Sequence, residues 1–194
     1  AERLFAEHGL DNVSHRQIAT AANQGNVSAV NYHFGTTADL VRAIVRRHGE
    51  EVEELRRPWV AAAEDSDDLR DWLSCLIHPV AEHLESLGSP TWWARFTALV
   101  ATDPRHRDLI TDELEQSDGL SRTAVALSRS AAHLPDAVRL ERGEMTRLMA
   151  VHVFAQRETA LAEGAPVARP TWTGCAEGIV DATVGLWRAE VTAR

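Results

Sequence analysis

A chain of 194 residues, 44% of them apolar, is long enough to bury a real core in one domain or in a small domain joined to a larger one. No stretch approaches the ~18 apolar residues of a membrane span and none reads as a signal peptide, so a cytoplasmic chain with no membrane partner is expected. The formal charge of −9 argues against a uniformly basic nucleic-acid binder. It is unevenly spread, however: residues 1–49 carry five arginines against four acids, while residues 50–194 carry fifteen against twenty-five, so a polyanion would be met by the first quarter alone.

Taken in order, the elements read as helices throughout, with no period-two run that would suggest a strand. "AERLFAEHG" has Leu4 and Phe5 on one face and stops at Gly9; it starts without a cap, so part of this helix is expected upstream. Ser14 caps "HRQIATAA" with Gln17 at the third helical position, and Ile18, Ala21 and Ala22 are its expected inner face. "NQG" is a turn, and "NVSAVNYHF" is a short third helix with Val27, Val30 and Phe34 at helical spacing. Thr36 and Asp39 form a second capping box for a long helix expected to stop before Pro58, and Glu53 and Arg57 at i,i+4 are its expected ion pair. Further on come a helix through Leu69 to Leu84 that Pro79 should kink, one starting at Ser89–Pro90, and one in "PRHRDLITDELEQ". The last three expected helices are "GLSRTAVALSRSAAHL", Pro135 to Glu163 and Thr171 to Thr192, the final two joined by "AEGAPVARP". Cys75 and Cys175 are too few for a disulfide framework or a zinc box and read as buried free thiols.

Three helices within ~35 residues, the second and third separated by a tight turn, form a helix-turn-helix unit of the kind that sets one helix in the ~12 Å major groove. With Val27, Val30 and Phe34 turned inward, Asn26, Ser28, Ala29, Asn31, Tyr32 and His33 face out. Asn and Ser can address base edges, Ala a thymine methyl, and Tyr and His can donate to phosphate oxygens. Thr36 and Thr37 open the next helix, whose N–H groups would face an anion. A merely solvated helix face is the other reading of the same pattern.

"LFAEHGLDNVSHRQIATAA…SAVNYHFGTTADLVRAIV", over about residues 1–47, resembles the DNA-binding domain of the tetracycline-repressor (TetR) family of bacterial transcription regulators. Leu4-Phe5-Ala6, Gly9, Ser14 ahead of Ile18-Ala19, the run Tyr32-His33-Phe34-Gly35, and Leu40 carry the likeness. The resemblance implies an all-α protein with residues 1–48 as helix-turn-helix domain and 49–194 as ligand-binding and dimerisation domain. It implies a homodimer on a near-palindromic operator in double-stranded DNA, released by a small-molecule effector. By position, Ser14, Tyr32 and His33 look like phosphate contacts and Arg16 a base contact. Two features depart from the family pattern: "AANQGN" is one residue longer than the commonest turn, and Thr37 stands where many members carry a phosphate-binding lysine.

Gly174, Gly178, Ala182, Gly185 and Ala189 form a stripe without bulk along the last helix, flanked by apolar residues on both sides. Each glycine disfavours a helix by ~1 kcal/mol, which close approach of a second subunit would offset; the competing reading is an intramolecular core. Six tryptophans all lie in the acidic part. Trp72, Cys75, Leu76, His78, Trp92, Trp93, Phe96, Met145, Met149 and His152 are candidates for an adaptable apolar pocket, and each is equally a core residue type. There is no Gly-rich phosphate loop and no Gly-x-Ser-x-Gly elbow, and His78 and His83, five apart, chelate poorly on a helix. A regulator is therefore expected, with no enzymatic activity, cofactor or metal; the alternative is a dimeric small-molecule-binding or interaction protein without specific DNA binding.

Overall fold

The computed structural model describes residues 1–23, 35–110 and 117–192, and every element among them is helical. The expected third helix, with Asn26, Ser28, Ala29, Asn31, Tyr32 and His33, lies outside the described residues. Local signals set the first elements. Helix α1 (Glu2–His8) ends at Gly9, whose φ of 85° is left-handed and free of strain only for glycine. Helix α2 (His15–Ala21) starts on a reciprocal box, in which the Gln17 N–H donates to Ser14 Oγ at 3.3 Å and the Ser14 N–H to Gln17 Oε1 at 2.8 Å. Helix α3 (Thr37–Ala62) repeats the device between Thr36 and Asp39, at 3.2 and 3.0 Å. Phe5, Leu10, Val13, Ile18, Ala19, Leu40 and Val41 are buried at this end. Ala19 rather than Ala21 and Ala22 joins Ile18 inside, because α2 ends after seven residues and its last alanines stay in solvent.

Helix α3 does not stop before Pro58 but runs through it. Proline removes one N–H, and the carbonyl left over belongs to Glu54, an exposed residue that water can serve. Val60 and Ala63, buried just beyond the proline, hold the last turn in place.

The rest of the chain forms α4 (Leu69–Ser86), α5 (Trp93–Thr102), α6 (Asp118–Ser130), α7 (Asp136–Ala162) and α8 (Trp172–Arg188), with one further helical turn at 107–110. Helix α4 is central and packs on α3, α6 and α8, while α5 lies between α7 and α1. Several boundaries are decided by charged side chains from distant segments. Pro79, inside α4, has no N–H for the Cys75 carbonyl; Arg56 of α3 supplies the missing donor, Nη1 to Cys75 O at 2.6 Å and to Leu76 O at 3.2 Å. Helix α5 begins at Trp93, later than Ser89–Pro90, because the buried Glu158 carboxylate of α7 accepts the N–H groups of Ala94 (3.1 Å) and Arg95 (2.9 Å). Helix α8 ends at Arg188 rather than Thr192, since the Arg142 guanidinium takes the carbonyls of Trp187 and Ala189, both at 2.6 Å. Both cysteines are free, with Cys75 buried and Cys175 only half-buried.

Candidate nucleic-acid interface and cavity

The described part of the N-terminal edge is built on two helix starts. Ser14 and Thr36 are the N-caps of α2 and α3, both exposed; Arg16 is exposed as the second residue of α2, and Thr37 is half-buried. Capping uses both hydroxyls, Ser14 Oγ donating to Gln17 Oε1 at 2.7 Å and Thr36 Oγ1 to Asp39 Oδ2 at 2.6 Å. The hydrogen bonds that Asp39 accepts from the Thr36 hydroxyl and N–H, and its ion pair with Arg42 at 2.8 Å, hold the Asp39 carboxyl below the usual carboxylate range. Arg42, the other cation near the position where the family carries lysine, is thus engaged by Asp39. No described residue pairs with the Arg16 guanidinium.

Helices α3 to α7 and Trp187 of α8 line a cavity of about 1380 Å³ that is open to solvent on one side. Val52, Leu76, Leu84, Trp93, Leu127 and Phe154 form its apolar lining. Of the ten residues expected around a pocket, Leu76 and Trp93 line it. Trp72, Cys75, His78 and Phe96 are buried outside it, Trp92 is the N-cap of α5, and Met149 packs on the core. Met145 and His152 are exposed on α7. Helical period separates inside from outside, but it does not say which buried face borders a void.

Of the charged residues that line the cavity, Glu53 and Arg56 are the most buried. Rather than pairing with Arg57, which takes Glu54 at 2.8 Å, Glu53 turns inward and accepts the Gly119 N–H at 2.7 Å and the Ser117 hydroxyl at the start of α6. A Cβ on Gly119 would stand 2.6 Å from Glu53 Oε1, so this close approach requires glycine. Burial pulls the Arg56 guanidinium down, and Glu53 at 3.3 Å opposes that shift.

The N-terminal unit is joined to the cavity wall by more than the backbone of α3. Phe5 packs on Phe96, and Arg105, after α5, reaches Asp11 at 2.7 Å. Glu2 of α1 accepts from His48 Nε2 at 2.7 Å, His48 Nδ1 lies 2.7 Å from His83 Nε2, and both rings contact Trp93. Burial first, and the neighbouring His48 second, push the His83 imidazole down to about 4. Sequence reasoning missed His48, His83, Glu53, Arg56 and Glu158 as positioning residues; their partners lie 19 to 66 residues away and leave no local pattern.

On α8, Ala182 and Gly185 are exposed, and nothing lies within 4 Å of a Cβ built on Gly185. Gly174 and Gly178 are covered by the Arg169 side chain of the preceding loop, and Ala189 is the C-cap. Met145 and Leu148 are exposed on the adjacent α7. Among the described residues no helix is long and apolar enough to cross a membrane.

Residues 1–44 match the family model described as bacterial regulatory proteins, tetR family. No curated protein matches the chain.

Proposed function

We propose, on the match of residues 1–44 to the tetR family of bacterial regulatory proteins, that the chain is a cytoplasmic homodimeric repressor that leaves its operator when a small molecule enters the cavity. The observation that carries this reading is the course of α3. One unbroken helix of 26 residues, about 39 Å long, starts at the exposed Thr36 cap and ends beyond Glu53 and Arg56 on the cavity wall. A ligand that shifts α4 or α5 against α3 would therefore turn the helix start that faces DNA. The division at residue 48 or 49 falls within this helix, so the two domains share one rigid element.

Arg16 is assigned to a base edge, Ser14, Tyr32, His33, Thr36 and Thr37 to the phosphates, and Asn26, Ser28, Ala29 and Asn31 to the groove. The two recognition helices of a dimer would lie ~34–36 Å apart, one turn of DNA. Dimerisation would use the exposed faces of α7 and α8, the first carrying Met145 and Leu148 and the second Ala182 and Gly185. A cavity with an apolar floor and charged residues around it, Glu53 and Arg56 the deepest of them, suits a mostly hydrophobic effector bearing a few polar groups. This is a regulator's chemistry, not an enzyme's.

The test is fluorescence anisotropy with DNA from upstream of the gene, titrated with candidate hydrophobic ligands. Sequence-selective binding should be lost in Arg16→Ala and weakened ~5–150-fold by a ligand that binds. Leu76→Trp, which adds bulk to the cavity lining, should keep DNA binding and weaken the ligand response. Binding without sequence preference, or ligands that never alter operator affinity, would leave a small-molecule-binding protein instead.

A further inference from the structure

His48 and His83, 3% and 1% exposed, meet where α1, α3 and α4 come together. Their hydrogens can be counted. A carboxylate only accepts, so the Glu2 contact puts the His48 hydrogen on Nε2 and leaves a bare lone pair on Nδ1. That lone pair faces His83 Nε2 at 2.7 Å, which donates in one His83 tautomer. The remaining His83 lone pair, on Nδ1, then faces Glu51 Oε2 at 3.5 Å. In the other His83 tautomer the hydrogen sits on Nδ1 towards Glu51, and the bare lone pairs of His48 Nδ1 and His83 Nε2 face each other at 2.7 Å. With two neutral rings either arrangement sets two acceptors against each other, and in the second a cation between the rings would take both lone pairs. The nearest arginine does not supply that charge: Arg47 binds the other oxygen of Glu51, Oε1, at 3.3 Å.

We propose that His48, His83 and Glu51 form a binding site for one divalent transition-metal cation, with Glu2 orienting His48 from behind. One donor atom from each of the three lies within 4.8 Å of the others. Neighbouring donors on a cation bonded at ~2.0–2.1 Å stand about 3 Å apart, so closure needs side-chain adjustments only: Glu51 is half-exposed, and its pair with the exposed Arg47 engages Oε1 and leaves Oε2 towards His83. Two imidazoles and one carboxylate suit zinc, nickel, cobalt or copper, whereas magnesium and calcium prefer an all-oxygen shell. Glu2 beneath His48 is the carboxylate–histidine arrangement that fixes a ligating ring and raises its basicity. The third ligand and open solvent on the Glu51 side give the cation a route in. Bound there, it would fasten α3 to α4 and, through His48 and Glu2, to the first helix of the DNA-binding unit.

The experiment uses tag-free, chelator-treated full-length chain, titrated with zinc chloride by calorimetry and with cobalt(II) by visible absorption. One cation per chain is expected, with cobalt d–d bands, no thiolate charge-transfer band, and a thermal midpoint that rises with zinc. His48→Gln and His83→Gln should each weaken binding by about 100-fold or more, and Glu51→Gln by roughly 10–100-fold. Glu7→Gln, on the exposed face of α1, should leave binding unchanged. The proposal is overturned if the wild type takes no stoichiometric cation with Kd below roughly 100 µM, or if the histidine variants bind as the wild type does. Should circular dichroism show those variants unfolded, Glu51→Gln decides alone, and undiminished binding in it overturns the site. Neither DNA nor effector enters the measurement.

Discussion

Replacing Glu158 by alanine removes a carboxylate that is 2% exposed and accepts three hydrogen bonds, from the backbone N–H groups of Ala94 and Arg95 and from Arg95 Nε at 3.0 Å. Two orphaned N–H groups would be left at the first turn of α5, and the Arg95 guanidinium, 20% exposed, would lose its counter-charge. Breaking a buried pair from one side costs about 3–5 kcal/mol, chiefly through the unpaired group that stays behind. Set against a typical stability of ~5–15 kcal/mol, that is a large fraction. For a chain of this length it corresponds to a fall in thermal midpoint of roughly 6–20 °C. Urea denaturation followed by far-ultraviolet circular dichroism measures it, with Glu158→Gln intermediate because the amide oxygen still accepts while its NH2 opposes Arg95. Adding Arg95→Ala to Glu158→Ala should recover part of the loss, since the stranded charge is then gone. A cost below about 1 kcal/mol for Glu158→Ala would refute the view that α5 depends on this cap.

Arg56→Met leaves the Cys75 carbonyl without a donor opposite Pro79 and strands Glu53; a loss of about 2–4 kcal/mol is expected in the same denaturation assay. The Cys75 thiol, fully buried and pushed up to about 11 chiefly by desolvation, should resist alkylation, while the half-buried Cys175 reacts first; mass spectrometry after iodoacetamide labelling reads the order. His78 stacks on Trp59 and sits 3.6 Å from Glu177. Burial lowers its pKa from the ordinary 6.5, so below that value the unfolded chain takes up a proton that the folded chain refuses. Stability at this position should therefore fall as pH drops from 6.5 towards the folded-state pKa, and His78→Gln should flatten that slope in denaturation curves recorded from pH 7 downward.

What was legible in the amino-acid order was whatever residues three or four positions apart decide. The boxes Ser14–Gln17 and Thr36–Asp39 and the Gly9 stop are interactions of that range, so α1, α2 and the start of α3 lie where the pattern puts them. The start of α7 at Pro135–Asp136 and the Thr171 cap of α8 are local in the same sense. The all-α class follows, because helical periodicity is itself a local property.

The tertiary structure alone decided everything that depends on a buried charge or a void. Pro58 and Pro79 read as helix breaks, yet both helices continue, one because the spare carbonyl faces water and the other because Arg56 reaches across to serve it. Glu53, Arg142, Glu158 and His48 sit among acidic and basic neighbours that look like solvated surface. The folded chain instead spends them on helix ends or ring nitrogens 35 to 66 residues away. Desolvating such groups is tolerable only when a partner is already in place, and that is a condition on the whole packing rather than on any window of sequence. The cavity obeys the same logic: Leu76 and Trp93 differ from Trp72 and Phe96 only in what stands opposite them, which is set when five helices meet.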